Sequence, residues 1–208
     1  MPDSNSKHDL IKFEWPAGND PLFFWHVVGA EELSSSGTSY INSTEAEMIL
    51  AMLNHLLLQN VKLTSIGVIT PYKGQRIYLQ NFLCKSLNLE LSQLTSLEIN
   101  SIDSFQGREK DFIILSTVRS SKTGGIGFLN NERRLNVALT RAKFGMVVLG
   151  NAKVLKQNHF WNNLLFHFSD KALLFEGNSV DSLVRSTMTF EKKFSVDRAQ
   201  GDFNQKRY

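Results

Sequence analysis

The chain has 208 residues, 42% hydrophobic and 21% charged, with a formal net charge of +3; that length supports one full core with at most a small appendage, and the mild positive balance tolerates a nucleic-acid partner without indicating one. A single cysteine, Cys84, excludes an internal disulfide and a multi-cysteine metal site. No apolar run is long enough to span a membrane, and the polar start from Met1 to Lys7 lacks a signal-peptide core, so a cytoplasmic location is expected, with the nucleus as the alternative.

Residues 1–20 are polar, broken by Pro16 and Gly18, and read as a lead-in or fragment edge. Leu22 to Val28, rich in aromatic and β-branched residues, predicts a strand. Gly29 to Ser39 reads as a loop. Asn42 followed by Glu45 has the form of a capping box with Asn in place of Ser or Thr, and Ile49, Met52, Leu53, Leu56 and Leu57 continue at helical spacing. Ser65 to Thr70, Phe112 to Val118 and Gly145 to Leu149 are nearly continuous apolar runs, as expected of parallel strands covered on both faces. Helical patterns lie between them at 73–86 and 131–142, so the order of elements predicts a parallel α/β sheet. A helix near Phe160 to Phe168, a strand from Ala172 to Phe175 and a helix from about Ser179 follow. The resulting division is a lead-in at 1–20, one α/β domain at 21–186 and a basic, flexible tail at 187–208.

Four segments carry chemistry-bearing residues. Thr70-Pro71-Tyr72-Lys73-Gly74-Gln75 follows a strand; Thr70, the Pro and Gly breaks and an exposed Tyr72 suit a phosphate backbone or a base face, although the segment also reads as an ordinary turn with Thr70 as N-cap. Ser101 to Asp111 crowds polar and charged residues around Gly107, where the backbone can approach a ligand. Gln106 and Arg108 could donate to phosphate and Glu109 could accept from a ribose hydroxyl; a solvated charged loop is the bland alternative. Gly124-Gly125-Ile126-Gly127 resembles a phosphate cradle only superficially and is best read as a flexible connection. Glu132 to Lys143 sets four cations beside an apolar helical face, and on an ideal helix Arg134 and Arg141 project to nearly the same side. Two guanidinium groups aimed at one place call for an anion, against the alternative of a surface helix with salt bridges. Each of the four segments follows or ends a predicted strand, and ligands of open parallel sheets bind beyond the strands' carboxyl ends, so their positions are mutually consistent. No Gly-Lys dipeptide occurs, so there is no Walker A loop, and neither a zinc cluster nor a nucleophile elbow is present.

At these segments the sequence resembles superfamily 1 helicases. Val68 to Gln75, Ser104 to Glu109 and Arg134 to Ala142 resemble their motifs IV, V and VI, and Phe13 to Pro16 and Ser35 to Asn42 look like the up-frameshift, nonsense-mediated-decay RNA helicase branch. The resemblance spans roughly residues 10–185. It implies the second RecA-like domain of a two-domain motor, a P-loop NTPase-type fold with helices on both faces of a parallel sheet. It also implies ATP with Mg2+ as cofactor, held mainly by a first RecA-like domain whose Walker motifs are not in this sequence. Neither the Tyr-Arg-Met segment nor the zinc-rich domain of that branch is found, so a fragment or a free-standing relic is expected.

By this resemblance Arg141 is the arginine finger and Glu109 holds the ribose. Gly107 and Arg108 lie at the nucleotide, Gln106 and Arg134 couple the two sites, and Thr70, Pro71, Tyr72 and Ser104 face single-stranded RNA. Decay or translation-termination factors are the further partners implied, and the isolated chain is expected to be inactive. The alternatives are a non-catalytic RNA- or protein-binding module, and DNA in place of RNA.

Overall fold

The computed structural model describes Trp15, residues 20–90 and residues 95–193; most of the lead-in and the tail beyond residue 193 lie outside the described residues. Its centre is a seven-stranded sheet. In chain order the strands are β1 (Leu22–His26), β4 (Ile66–Ile69), β5 (Glu98–Asn100), β6 (Lys110–Ser116), β7 (Ala142–Gly150), β8 (Leu174–Glu176) and β9 (Val184–Arg185), arranged β5-β4-β6-β7-β1-β8-β9. All neighbours are parallel except β8 and β9. Short strands β2 (Glu32–Leu33) and β3 (Tyr40–Ile41) form a separate antiparallel pair inside what the sequence reads as loop.

The continuous apolar runs feed two cores because successive strand side chains point to opposite faces. Phe23, Trp25, Val68, Ile114 and Val147 meet α1 (Ser43–Leu58) and α2 (Lys73–Ser86) on one face. Phe24, Ile69, Ile113, Met146 and Val148 meet α3 (Glu132–Leu139) and α5 (His159–Asp170) on the other, with the one-turn α4 (Ala152–Leu155) between them in the chain. Trp15 packs on the first face, 6.1 Å from the Phe112 ring and 6.0 Å from Phe23. Among the described residues no helix is long and apolar enough to cross a membrane.

Three expectations need correction. The arginine helix stops at Leu139, so Arg141 lies outside it. Thr140 turns its hydroxyl back onto the Asn136 and Val137 carbonyls, and the Lys110 amide takes the Arg141 carbonyl, which draws the chain into β7 before another helical turn forms. The helix from Ser179 is a single 3-10 turn, Val180–Ser182. Reciprocal Ser179–Ser182 bonds close that turn, and pairing of β9 with β8 claims the next residues. The glycine-rich connection is anchored: Ile126 and Leu129 are buried in the second core, and residues Gly127–Asn130 form a 3-10 turn.

Residues 188–193 run along α5. The Asn162 side chain donates to the Glu191 carbonyl, and Asn163 both accepts from the Lys193 amide and donates to its carbonyl.

Candidate functional site

The strand order divides the sequence-selected residues between the two ends of the sheet. After β5 the chain doubles back through a 3-10 turn, Asp103–Phe105, and starts β6 at Lys110. Phe105 is fully buried beneath this crossing, against Gly67 of β4; a Cβ there would come within 2.8 Å of the ring. Thr70, Pro71, Ser101 and Asp103 therefore sit beyond the carboxyl ends of β4 and β5. Arg108, Glu109 and Arg141 immediately precede β6 and β7, at their amino ends. The expectation that all these segments lie at the carboxyl ends is therefore corrected: they form two separate sets, one at each end.

The amino-end set is Gly107, Arg108, Glu109 and Arg141. Gly107 has φ 77° and open space around its missing Cβ, so only a residue without a side chain makes this turn without strain, and the bare backbone is left approachable. Arg108 is exposed and paired to Glu98 at 2.7 Å. Burial pushes the Glu98 carboxyl up, but Arg108, Asn100 and Lys110 outweigh it and hold it below the ordinary value. Arg141 folds back on its own chain: Nε donates to Val137 O at 2.9 Å, Nη1 to Arg108 O at 3.3 Å and Nη2 to Thr140 Oγ1 at 2.9 Å. Carbonyls at a helix end favour a cation. Among the described residues Arg141 has no carboxylate in ion-pair range, whereas Arg108, Arg119 and Arg134 each have one. Glu109 and Gln106 are exposed. This set offers donors to an oxyanion and an acceptor for a hydroxyl, which fits the polyphosphate and ribose of a nucleotide. Among the described residues no group of His, Cys, Asp or Glu is placed to hold a metal ion.

Arg134 does not join Arg141. It occupies the first turn of α3, whose eight residues span about 12 Å, and its Nε and Nη2 grip both Asp103 oxygens at 3.1 and 3.0 Å. The two arginines stand at opposite ends of α3, and Arg134 ties that helix to the crossing that carries Ser104, Gln106 and Gly107. Ser104 is exposed and shares a hydrogen bond with Ser101. The exposed Tyr72 is corrected as well: the residue is 2% exposed and Thr70 1%, because Tyr72 packs into the second core and donates its hydroxyl to Ile126 O at 3.1 Å.

Two polar clusters escaped sequence reasoning. Asn42 caps α1 as expected by accepting from the Glu45 amide, yet the Glu45 carboxyl does not reach back to complete the box. It accepts instead from Ser116 Oγ at 2.6 Å and from the Val118 amide at 2.9 and 3.0 Å. Gln75 bridges this cluster to α2, accepting from the Asn42 amide and donating to Asn42 O and Ser116 Oγ. Val118 sits at φ 69°, a strained conformation for a β-branched residue, and is clasped by Glu45 and by Asn42 Nδ2. Burial pushes the Glu45 carboxyl up to about 7, against the hydrogen bonds from Ser116 and Val118.

In the second cluster Arg119 binds Glu31 through two bonds of 2.9 and 3.0 Å, with the Ser120 and Ser121 amides also donating to Glu31. The guanidinium lies 4.4 Å from the centre of the Tyr40 ring. Burial pushes the Glu31 carboxyl up, and Arg119 with the two amides outweighs it, leaving Glu31 below its ordinary value. The sequence signals for the first cluster were Gln75 inside its motif and the Asn42–Glu45 capping pattern, neither of which pointed to Ser116 or Val118; Glu31 and Arg119 carried none.

A mostly parallel sheet covered on both faces, with the doubling-back crossing and an arginine at the α3–β7 junction, defines the class as a RecA-like helicase domain. A family model described as an AAA domain matches residues 2–153. The chain is 51% identical over 181 residues to Regulator of nonsense transcripts 1 of Dictyostelium discoideum, covering 87% of this chain and 14% of that protein. It is 50% identical over 182 residues to the Arabidopsis thaliana homolog of the same name, covering 88% and 14%. It is 43% identical over 204 residues to the ATP-dependent helicase NAM7 of Saccharomyces cerevisiae, covering 92% and 21%. The chain belongs to this AAA-domain family, within the up-frameshift branch of superfamily 1 helicases. It spans between 14% and 21% of the length of these three relatives.

Proposed function

We propose that this chain acts as the second RecA-like domain of an ATP-dependent RNA helicase of the nonsense-mediated-decay type, supplying the arginine finger to ATP held mainly by a first domain. The observation that carries this reading is Arg141. It is anchored by the Val137 and Arg108 carbonyls, lies beside Gly107 and Glu109, and has no carboxylate partner among the described residues. A guanidinium so held can turn outward to a γ-phosphate, where such a residue is worth about a thousandfold or more in turnover. In this reading the Gly107 backbone and Arg108 border the phosphates, Glu109 accepts from the ribose, and Arg134 with Gln106 links nucleotide closure to the strand-facing end. There Pro71 and Ser104 face single-stranded RNA, with Thr70 and Tyr72 as their buried support.

The chain alone is expected to show negligible ATPase activity, measured as phosphate release with and without RNA. Joined to an AAA domain carrying a P-loop from a relative, it is expected to hydrolyse ATP, and Arg141→Ala is expected to reduce kcat by about three orders of magnitude. An active fused protein indifferent to Arg141→Ala would remove the finger assignment. RNA binding with no turnover in the fused protein would favour a non-catalytic module, and equal turnover on DNA and RNA would remove the RNA preference.

A further inference from the structure

The carboxyl end of the sheet carries an aromatic that none of the roles above uses. Phe128 is 58% exposed, although the residues around it in the 3-10 turn, Ile126 and Leu129, are anchored in the core. A lone exposed apolar side chain needs no explanation; this one is built in. Its ring meets Tyr72 edge-on at 5.7 Å, Tyr72 meets Tyr40 at 5.9 Å, and Arg119 lies over Tyr40 at 4.4 Å. The Tyr72 hydroxyl bonds to Ile126 O, and the Arg119 guanidinium to Gly124 O, so the turn that presents Phe128 is pinned at two carbonyls.

Phe128 stands between two hollows. One, about 480 Å³, is shared with Arg134, Asn130 and Asn131. The other, about 570 Å³, is shared with Lys73, Pro71 and the hydroxyls of Ser34 and Ser36. Both fall within the range of about 300–1,000 Å³ usual for small-ligand sites. A fixed, exposed ring with a cation and neutral donors on either side meets the chemical needs of one nucleobase on the ring and a phosphate at each cation.

We propose that Phe128 is a stacking platform for a base of single-stranded RNA, with Lys73 and Arg134 as its flanking phosphate contacts. This rests on the RNA-binding reading above and adds to it the residue that would grip the strand by its base. Stacking is indifferent to base identity, so the platform holds any sequence, as a translocating enzyme requires.

The test is titration of this chain into a short fluorescent oligouridylate, followed by anisotropy at several salt concentrations. Phe128→Ala is expected to weaken binding about fivefold or more, with an unchanged melting temperature and an unchanged salt slope, since no phosphate contact is removed. Phe128→Trp is expected to restore affinity. Lys73→Ala is expected to lower the salt slope by about one. If the wild-type chain binds no RNA, the RNA-binding reading falls and the platform with it. If the wild type binds and Phe128→Ala binds equally well, or Trp fails to restore affinity, the platform is overturned while the RNA-binding reading stands.

Discussion

Glu45 is a carboxyl that the fold takes out of water and gives three hydrogen bonds from two residues, Ser116 and Val118. Desolvation wins, and its pKa rises from 4.5 to about 7. An acid raised in the folded state contributes stability that is fully present below the unfolded pKa and is lost as pH rises through the folded one. The chain is therefore expected to lose stability between about pH 4.5 and pH 7, by a few kcal/mol at about 1.4 kcal/mol per unit. Glu45→Gln keeps an acceptor for Val118 and gains a donor for Ser116 Oγ; urea midpoints measured across this window are expected to flatten in that variant. An equally sloped variant would sink the assignment.

Glu31 carries the opposite sign, because its pKa is lowered: it stabilises above its unfolded pKa and loses that contribution as pH falls through the folded one. Removing one member of a buried, hydrogen-bonded ion pair strands the other. Glu31→Ala is expected to cost about 2–3 kcal/mol, read as a shift in urea midpoint, and to loosen the turn that presents Phe128. Neither carboxylate was legible as functional in the sequence. Glu45 read as half of a capping box and Glu31 as loop, because their partners lie more than seventy positions away in Ser116, Val118 and Arg119.

At the scale of elements, the crossing between β5 and β6 depends on the missing side chain of Gly67. Gly67→Val would drive Cβ into Phe105 and into Ile113, whose Cδ1 lies 2.9 Å from that position. Overpacking of this kind costs about 1–3 kcal/mol and would lift the segment bearing Ser104, Gln106 and Gly107. In the ATPase-competent fused protein the variant is expected to lose turnover while still showing a cooperative melt; unchanged turnover would mean that the crossing does not position the site.

The arginine helix teaches a second lesson at this scale. Its existence was legible from Leu135, Leu139 and Ala142 at helical spacing; Leu135 is buried and Leu139 half-buried on that helix, whereas Ala142 already belongs to β7. Its end was not, because Thr140 and the pull of the β6–β7 ladder are tertiary effects that periodicity does not carry. An ideal helix would have joined Arg134 and Arg141; the real one separates them, leaving one arginine for Asp103 and the other at the amino end of β7.

For the whole molecule, β6, β7 and β1 lie inside the sheet with neighbours on both sides, whereas β5 and β9 form its edges. Amide hydrogen exchange is expected to be slowest in the three central strands and fastest in the two edge strands, since edge backbone opens without breaching either core. Comparable protection throughout would mean that the two cores open as one unit.

The sequence by itself determined the layered α/β class. Apolar runs without alternation can be satisfied only by strands buried on both faces, and helical spacing between them leaves few other arrangements. It also singled out the candidate segments, since their glycines, arginines and amides stand in short contiguous motifs. Only the tertiary structure decided how those segments are shared between the two ends of the sheet. It also buried Tyr72 and left Phe128 in the open, and brought Glu45 to Val118 and Glu31 to Arg119. The reason is that strand order and crossing direction join residues far apart in the chain, and a local pattern holds no record of which distant partner will satisfy a buried charge.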